Sequence, residues 1–521
     1  MSPPELNNPL SIAVTPEITE TLRRLFVRHR RVTLIKEFSN GLSGSRVFAV
    51  RPLSSEGRPE LPAVVKIAST SMIKQELKAI RRLIDNRLPK ATTNASRSII
   101  VAEHNLGALR YPMLGSGNDE ILSLHDYFHQ PDTSADSLRQ LIERLLLVMD
   151  HIWRYGRVKE RYSFANGYDV VLPPNLLVAV AAEPLPTTLL TPKRACKLKL
   201  LPGDGVTVRD FVVRKVDLSR RTVTLGGAPQ HAFGLRLKFP DGMPMPHYRL
   251  YERIAAVSGI VEETRHSRLR DELLRLFPQL DPLAPTVALA EGIGLPNPLA
   301  QLDQILQGGG SVHLATIHGD LNLQNILVDI DAQSQFGDVN LIDFAEAREE
   351  HVLHDLLRLE TEIITHLLPI AIQKAGVDPI TTLADLSWRC HRMLRPAALE
   401  PDVLEHSELD KIWALLRAIR RAARTYLHDP NDPDEYYRGL TLYLLGALRF
   451  RNLNAHAAHP LPKRLAFWSA LLAFAWLRHP DIDTTPPTIS ALLRARRSAT
   501  RYARVRWAPT GHAALPRAKI A

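Results

Sequence analysis

Short apolar runs broken by turn residues open the chain. "RRVTLIKEFS" (30–39), "SRVFAVRPL" (45–53) and "LPAVVKIAS" (61–69) alternate or run apolar as strands do, and "NGLSG" separates the first two. The next run, "SMIKQELKAIRRLIDNRL" (71–88), changes period. Its Ile73, Leu77, Ile80, Leu83 and Ile84 recur at helical spacing. "SIIVAEHN" (98–105) and "GALRYPMLG" (107–115) then predict two more strands. Three strands, one helix and two strands make a small β-rich unit over residues 31–120, preceded by an extension, residues 1–30.

The period is helical after residue 120, most clearly in "SADSLRQLIERLLLVMDHIWRYG" (134–156). It turns to β again between 193 and 250. There "ACKLKLLPGDGVTVRDFVVRKVD", "RTVTLGG", "FGLRLKF" and "HYRLYERI" are separated by the turn signals "PGDG", "LSRR" and "GGAP". This predicts an inserted small β-barrel or sheet, about 55 residues long and within the lower domain range. Helical patterning resumes near 252, passes a Pro/Gly-rich connection, "EGIGLPNPLAQLDQILQGGG" (291–310), and continues from 352 to about 499. The mostly helical part therefore takes 121–192 and 251–493, and residues 494–521 form a tail. No internal repeat is visible. The expected fold class is α+β.

Composition narrows the class. A chain of 521 residues with 45% hydrophobic and 23% charged residues is an ordinary globular mixture of two to four structural units. Its two cysteines, Cys196 and Cys390, form neither a disulfide framework nor a zinc spacing, which suits a reducing compartment. The first residues, "MSPPELNNPLSIAV", carry no basic segment followed by an apolar core. The most apolar stretch, "LAFWSALLAFAWL" (465–477), falls short of the roughly 20 residues a bilayer demands and is read as a buried helix. A cytoplasmic location without a membrane partner is expected. The net charge of +11 is concentrated at the end, where Arg494, Arg496, Arg497, Arg501, Arg504, Arg506, Arg517 and Lys519 occur with no acid. Such a tail either is a solvated end or touches an anionic partner.

Chemistry enters at "IHGDLNLQNILVD" (317–329), followed by "NLIDFAEA" (340–347). Two acids and a carboxamide beside two short apolar strands suit phosphoryl transfer. That reaction requires a positioned hydroxyl, a carboxylate near its proton and metal ions on the phosphates. Magnesium takes hard oxygen ligands and few protein groups. In this reading Asp320 faces the hydroxyl, Asn325 and Asp343 hold the metal, and "NILVD" with "VNLIDF" folds as a hairpin that brings those two together. Asn322 is placed to face the acceptor, and His318 orients the loop or joins the chemistry.

H-G-D-x-x-x-x-N followed by I-D-F resembles the Brenner-type signature of aminoglycoside phosphotransferases, choline kinases and their relatives. The run "IHGDLNLQNILVD…LIDFAEAREEHVLHDLLRLE" is most similar to the ternary-complex-associated, phosphotransferase-like domains of bacterial conflict systems. Protein kinases carry H-R-D and D-F-G instead; here Gly319 replaces the Arg and Ala345 the last Gly. The resemblance implies a two-lobed protein-kinase-like fold using ATP and Mg²⁺, with a β-rich N-lobe and a mostly helical C-lobe. It implies Gly41 and Gly44 over the phosphates, and Lys66 of "AVVKIA" gripping them with help from Glu76. The hinge around Tyr111, Pro112 and Met113 would meet adenine, and Asp355 would support the catalytic loop.

Plainer readings stand beside these. Asp320 could form a turn, Asn325 cap one, and Asp343 be a backbone-bonded acid. Lys66 and Glu76 could be a simple surface pair, and Gly41 and Gly44 an ordinary hairpin. The insert is a substrate or partner module, a nucleic-acid binder or an embellishment; sparse aromatics disfavour nucleic acid. The expected function is ATP- and Mg²⁺-dependent transfer to a hydroxyl of an unknown acceptor, a small molecule or a protein. The alternative is a catalytically silent nucleotide-binding scaffold that assembles partners through residues 193–250 and the tail.

Overall fold

The computed structural model describes residues 3–38, 45–85, 87–88, 97–112, 120–183, 185–195, 197–227, 233–290, 293–330, 336–394, 404–454, 460–479, 485–492 and 494. Its first unit is a six-stranded sheet. The elements are β1 (Glu5–Asn7), α1 (Pro16–Leu25), β2 (His29–Phe38), β3 (Arg46–Ser54), β4 (Ala63–Ser69), α2 (Thr70–Ala79), β5 (Arg97–Val101) and β6 (Leu106–Pro112), with strands in the order β1-β2-β3-β4-β6-β5. The stretch before residue 31 is built into this sheet: β1 pairs parallel with β2, and α1 covers one face.

Alternation along β4 divides the sheet's two faces. Val65 and Ile67 join Leu22, Leu25, Phe26 and Phe48 under α1. Val64 and Ala68 point the other way, into the main core with Ile73, Ile80 and Leu109. Full burial of each such side chain contributes roughly 1.5–3 kcal/mol. The same alternation puts Lys66 on the main-core face, where α2 passes.

The remainder is α+β. A helix over Ala135–Trp153 starts at a capping box between Ser134 and Ser137 and buries Leu138, Leu141, Ile142, Leu145 and Met149. Strands 120–123, 326–330 and 336–341 form one three-stranded sheet, and 157–163, 309–317 and 348–351 another. Helices follow over 353–362, 368–375, 379–393, 407–426, 434–447 and 461–477. The last holds the apolar stretch and buries Leu465, Phe467, Leu471 and Phe474. Among the described residues no helix is long and apolar enough to cross a membrane.

Between residues 176 and 264 the chain makes a seven-stranded sheet in the order 188–190, 205–208, 257–264, 176–180, 235–238, 222–226, 212–217. It has its own core, which includes Val178, Val206, Phe211, Val223, Leu225 and Leu237. The sheet draws edge-to-edge partners from outside 193–250, because strand 176–180 pairs with both 235–238 and 257–264. "KLKLL" (197–201) and "HYRLYERI" (247–254), which read as strands, lie outside the named strands. Leu198, Leu200, Tyr248 and Leu250 nonetheless pack on the sheet's core. Residues 251–254 also hydrogen-bond along 210–213, with Arg253 bridging Val212 antiparallel, so the end of the second run continues the sheet edge without forming a full strand.

Candidate active site

Lys66 is fully buried, and burial alone would favour losing its proton. Two carboxylates reverse this. Its Nζ lies 2.7 Å from Glu76 Oε2 and 2.7 Å from Asp343 Oδ1, and together they hold the ammonium above its ordinary pKa. Glu76 is anchored further: its Oε1 accepts from the Tyr111 hydroxyl and, at 3.2 Å, from the Phe344 N–H. Burial keeps the Tyr111 phenol far above its usual range, so it serves as a donor. Gln75 Nε2 donates to Ala345 O at 3.0 Å, a second tie between α2 and the segment after Asp343. Asp343 itself holds a left-handed backbone, φ 66°, unusual for a residue with a side chain.

The loop over 318–325 is fixed by backbone hydrogen bonds to a buried acid. Asp355 accepts from His318 N (2.7 Å), Gly319 N (2.9 Å) and Trp153 Nε1 (3.2 Å). Burial pushes this carboxyl up, and the backbone N–H donors oppose the shift. The buried His318 ring joins Ile342 O through Nε2 at 3.0 Å and Asp320 N through Nδ1 at 3.4 Å. A carbonyl accepts and an amide donates, so these partners assign the proton to Nε2. Asn322 Oδ1 accepts from Gln324 N (2.9 Å) and Asn325 N (3.0 Å), and so shapes the turn. Asn325 Nδ2 donates to Asp320 O at 2.8 Å. Ile326 pairs with Leu341 in the hairpin, and Ile342 N donates to Asn325 O at 3.2 Å. Asn325 and Asp343 thus flank the same end of that hairpin.

Gly319 has φ +85°, and a Cβ there would lie 2.2 Å from Glu346 O. No side chain fits, which is the physical reason that H-G-D stands here instead of H-R-D.

A family model described as "Ternary complex associated domain 9" matches residues 30–449. The chain belongs to this family. A search of curated proteins gave no match. Among solved structures, the chain has a distant likeness to "Glucosamine kinase (crystal form B)", at 13% identity and a TM-score of 0.26, covering 90% of this chain and 95% of that one. So loose a likeness bears on neither fold nor function.

In this ternary complex associated domain 9 chain, Lys66, Glu76, Tyr111, His318, Asp320, Asn322, Asn325 and Asp343 converge through the contacts above. Gly41, Gly44 and Met113, read as nucleotide contacts, lie outside the described residues. Two further residues come from the tertiary structure. Arg358 Nε lies 3.1 Å from Asp320 Oδ1, and its Nη1 lies 2.9 Å from Glu362 Oε1. Its position three residues after Asp355 was the available signal, since i and i+3 share a helix face. Glu346, solvent-accessible yet crowded, is pushed above its usual range by desolvation, with Asp320 and Asp343 adding to the shift.

Proposed function

We propose that this chain is an ATP- and Mg²⁺-dependent phosphotransferase with a two-lobed kinase-like layout, acting on an alcohol. The observation that carries this reading is the Lys66 ammonium held at 2.7 Å by both Glu76 and Asp343, beside a loop in which Asn325 Nδ2 donates to the Asp320 carbonyl. A buried ammonium on a strand, fixed by a helix carboxylate, suits phosphate oxygens.

The donor set fits a magnesium nucleotide. Asn325 donates its amide nitrogen to Asp320 O, which leaves Oδ1 for a cation, and Asp343 supplies a carboxylate at the same hairpin end. Among the described residues no group of three or more His, Cys, Asp or Glu is arranged for a metal. Two oxygen donors, with phosphates and water completing the shell, are what Mg²⁺ commonly accepts. Bound ATP would supply the phosphoryl group. Asp320 would orient the acceptor hydroxyl and take its proton; His318 and Asn322 would hold the loop in shape.

A second reading, a nucleotide-binding scaffold without turnover, draws support from the Arg358–Asp320 ion pair, which occupies the carboxylate that would serve the acceptor. Incubation with γ-labelled ATP and Mg²⁺, with and without candidate alcohols, separates the two. Label moving to an acceptor supports the transferase. A thermal shift by Mg·ATP with no transfer to any acceptor supports the scaffold.

A further inference from the structure

One face of the seven-stranded sheet carries a polar row fixed by strand register. Lys215 pairs with Thr224, Thr224 with Arg236, Arg236 with Leu177, and Leu177 with Glu263. Directly paired residues share a face. The opposite face holds the core residues Val178, Val223, Leu235 and Leu237. Arg268, from the helix over Arg265–Leu276, meets Arg236 across a small cleft also lined by Pro174, Leu177, Glu263 and Thr264.

Arg236 is within electrostatic reach of Arg449, and Arg449 of Arg358, the residue that pairs with Asp320. Arg449 donates to Leu172 O at 2.7 Å, and its guanidinium lies 5.7 Å from the centre of the Phe450 ring. Arg358 lies 5.1 Å from the same ring while touching Asp320. At the other end, Lys215 is within electrostatic reach of Glu346. Of the acids near the row, Glu263 is paired with Arg268, and Glu362 and Asp320 with Arg358. Asp217 is hydrogen-bonded by Ser219 and by the Arg220 N–H. Lys215, Arg236 and Arg449 make no ion pair with a carboxylate among the described residues. Burial, then Arg358, Arg236 and Arg265, press the Arg449 guanidinium down to about 10.

We propose that Lys215, Thr224 and Arg236, with Arg449 beside them, form a phosphate-recognition surface for the acceptor. The acceptor is then a small alcohol that already carries a phosphate group. The proposal rests on the transferase reading for the word acceptor. Partly buried guanidiniums beside a threonine hydroxyl suit a compact phosphate monoester, through charge-assisted hydrogen bonds. A nucleic-acid strand would want a run of exposed aromatic platforms; Phe211 and Phe239 of this unit are buried in its core, and the exposed Tyr251 lies outside the Lys215–Thr224–Arg236 row.

Calorimetric titration of the full-length protein, with Mg·ADP at saturation to fill the nucleotide site, tests this. The probes are glucose 6-phosphate against glucose and glycerol 3-phosphate against glycerol. The phosphorylated member should bind at least about tenfold more tightly. Arg236→Gln and the exposed-site variant Lys215→Gln should each weaken that preference, and added salt should reduce it. Equal binding within both pairs, or a preference untouched by both variants, overturns the proposal. A single-stranded oligonucleotide that binds far more tightly than either phosphate, and loses binding in the same variants, overturns it in favour of nucleic acid. Binding preference without label transfer would remove the transferase reading and leave the phosphate site. Label transfer to the unphosphorylated alcohols without a binding preference would do the reverse.

Discussion

Arg358 reaches Asp320 from a helix turn beyond Asp355, at 3.1 Å, and holds Glu362 at 2.9 Å with a second nitrogen. The helix over 353–362 therefore grips the loop twice: Asp355 takes its backbone N–H groups, and Arg358 takes the Asp320 carboxylate. Arg358 is a positioning residue in this reading. Arg358→Ala should lower kcat while leaving the KM for ATP near its original value, and Arg358→Lys should restore part of the loss. A KM effect alone, or no rescue by lysine with the fold intact, would argue against positioning.

Asp320→Ala should slow single-turnover transfer by about 10²–10⁴-fold, the usual range for a general base. That corresponds to roughly 3–5.5 kcal/mol of barrier. An unchanged rate would remove Asp320 from the chemistry.

Lys66→Met leaves Glu76 buried beside Asp343 without its cation. Removing one partner of a buried pair costs about 3–5 kcal/mol. Urea unfolding should register that loss, and Mg·ATP binding should fall with it. Lys66→Met combined with Glu76→Gln should recover part of the stability and none of the binding; a double variant that binds nucleotide normally would contradict the phosphate-gripping role.

Gly319→Ala places a Cβ where Glu346 O already stands, at 2.2 Å, on a backbone with φ +85°. Strain at such a position costs of order 1–3 kcal/mol. The expected outcome is a lower melting temperature together with reduced transfer. A variant as stable as the parent would mean that the 344–348 segment moves aside freely.

Cys390 is buried, and burial pushes its thiol up to about 12. A raised thiol pKa favours the protonated folded state. Its contribution is constant below the unfolded thiol's range and is lost as pH climbs toward about 12. In a Cys196→Ser background the native protein should resist a thiol reagent at pH 8 and react on unfolding in urea. Prompt native-state reaction would show that the helical core opens at this point.

Much of the plan was legible along the chain. Alternation in "AVVKIA" puts Lys66 on a strand, and the helical period after it puts Glu76 on the next element; the structure has both. The apolar pairs flanking Asn325 and Asp343 read as a hairpin and fold as one. These are local signals, since each depends on the geometry of one element or one turn. The sheet between 176 and 264 was harder. Strands 176–180 and 257–264 bracket the β-rich patch, and pairing between such distant segments leaves no periodic trace.

The sequence by itself determined which chemical groups are present and in what order: a strand lysine, a helix glutamate, and the H-G-D, Asn and Asp set. Residue identity and short-range period are properties of the chain. Only the tertiary structure decided that Lys66 meets Asp343 as well as Glu76, that Arg358 grips Asp320, that Gly319 abuts Glu346 O, and that Lys215 and Arg236 share a row. Each is a contact or a register between separate elements. Register and docking set such contacts, and they follow from how whole faces pack, not from any one segment.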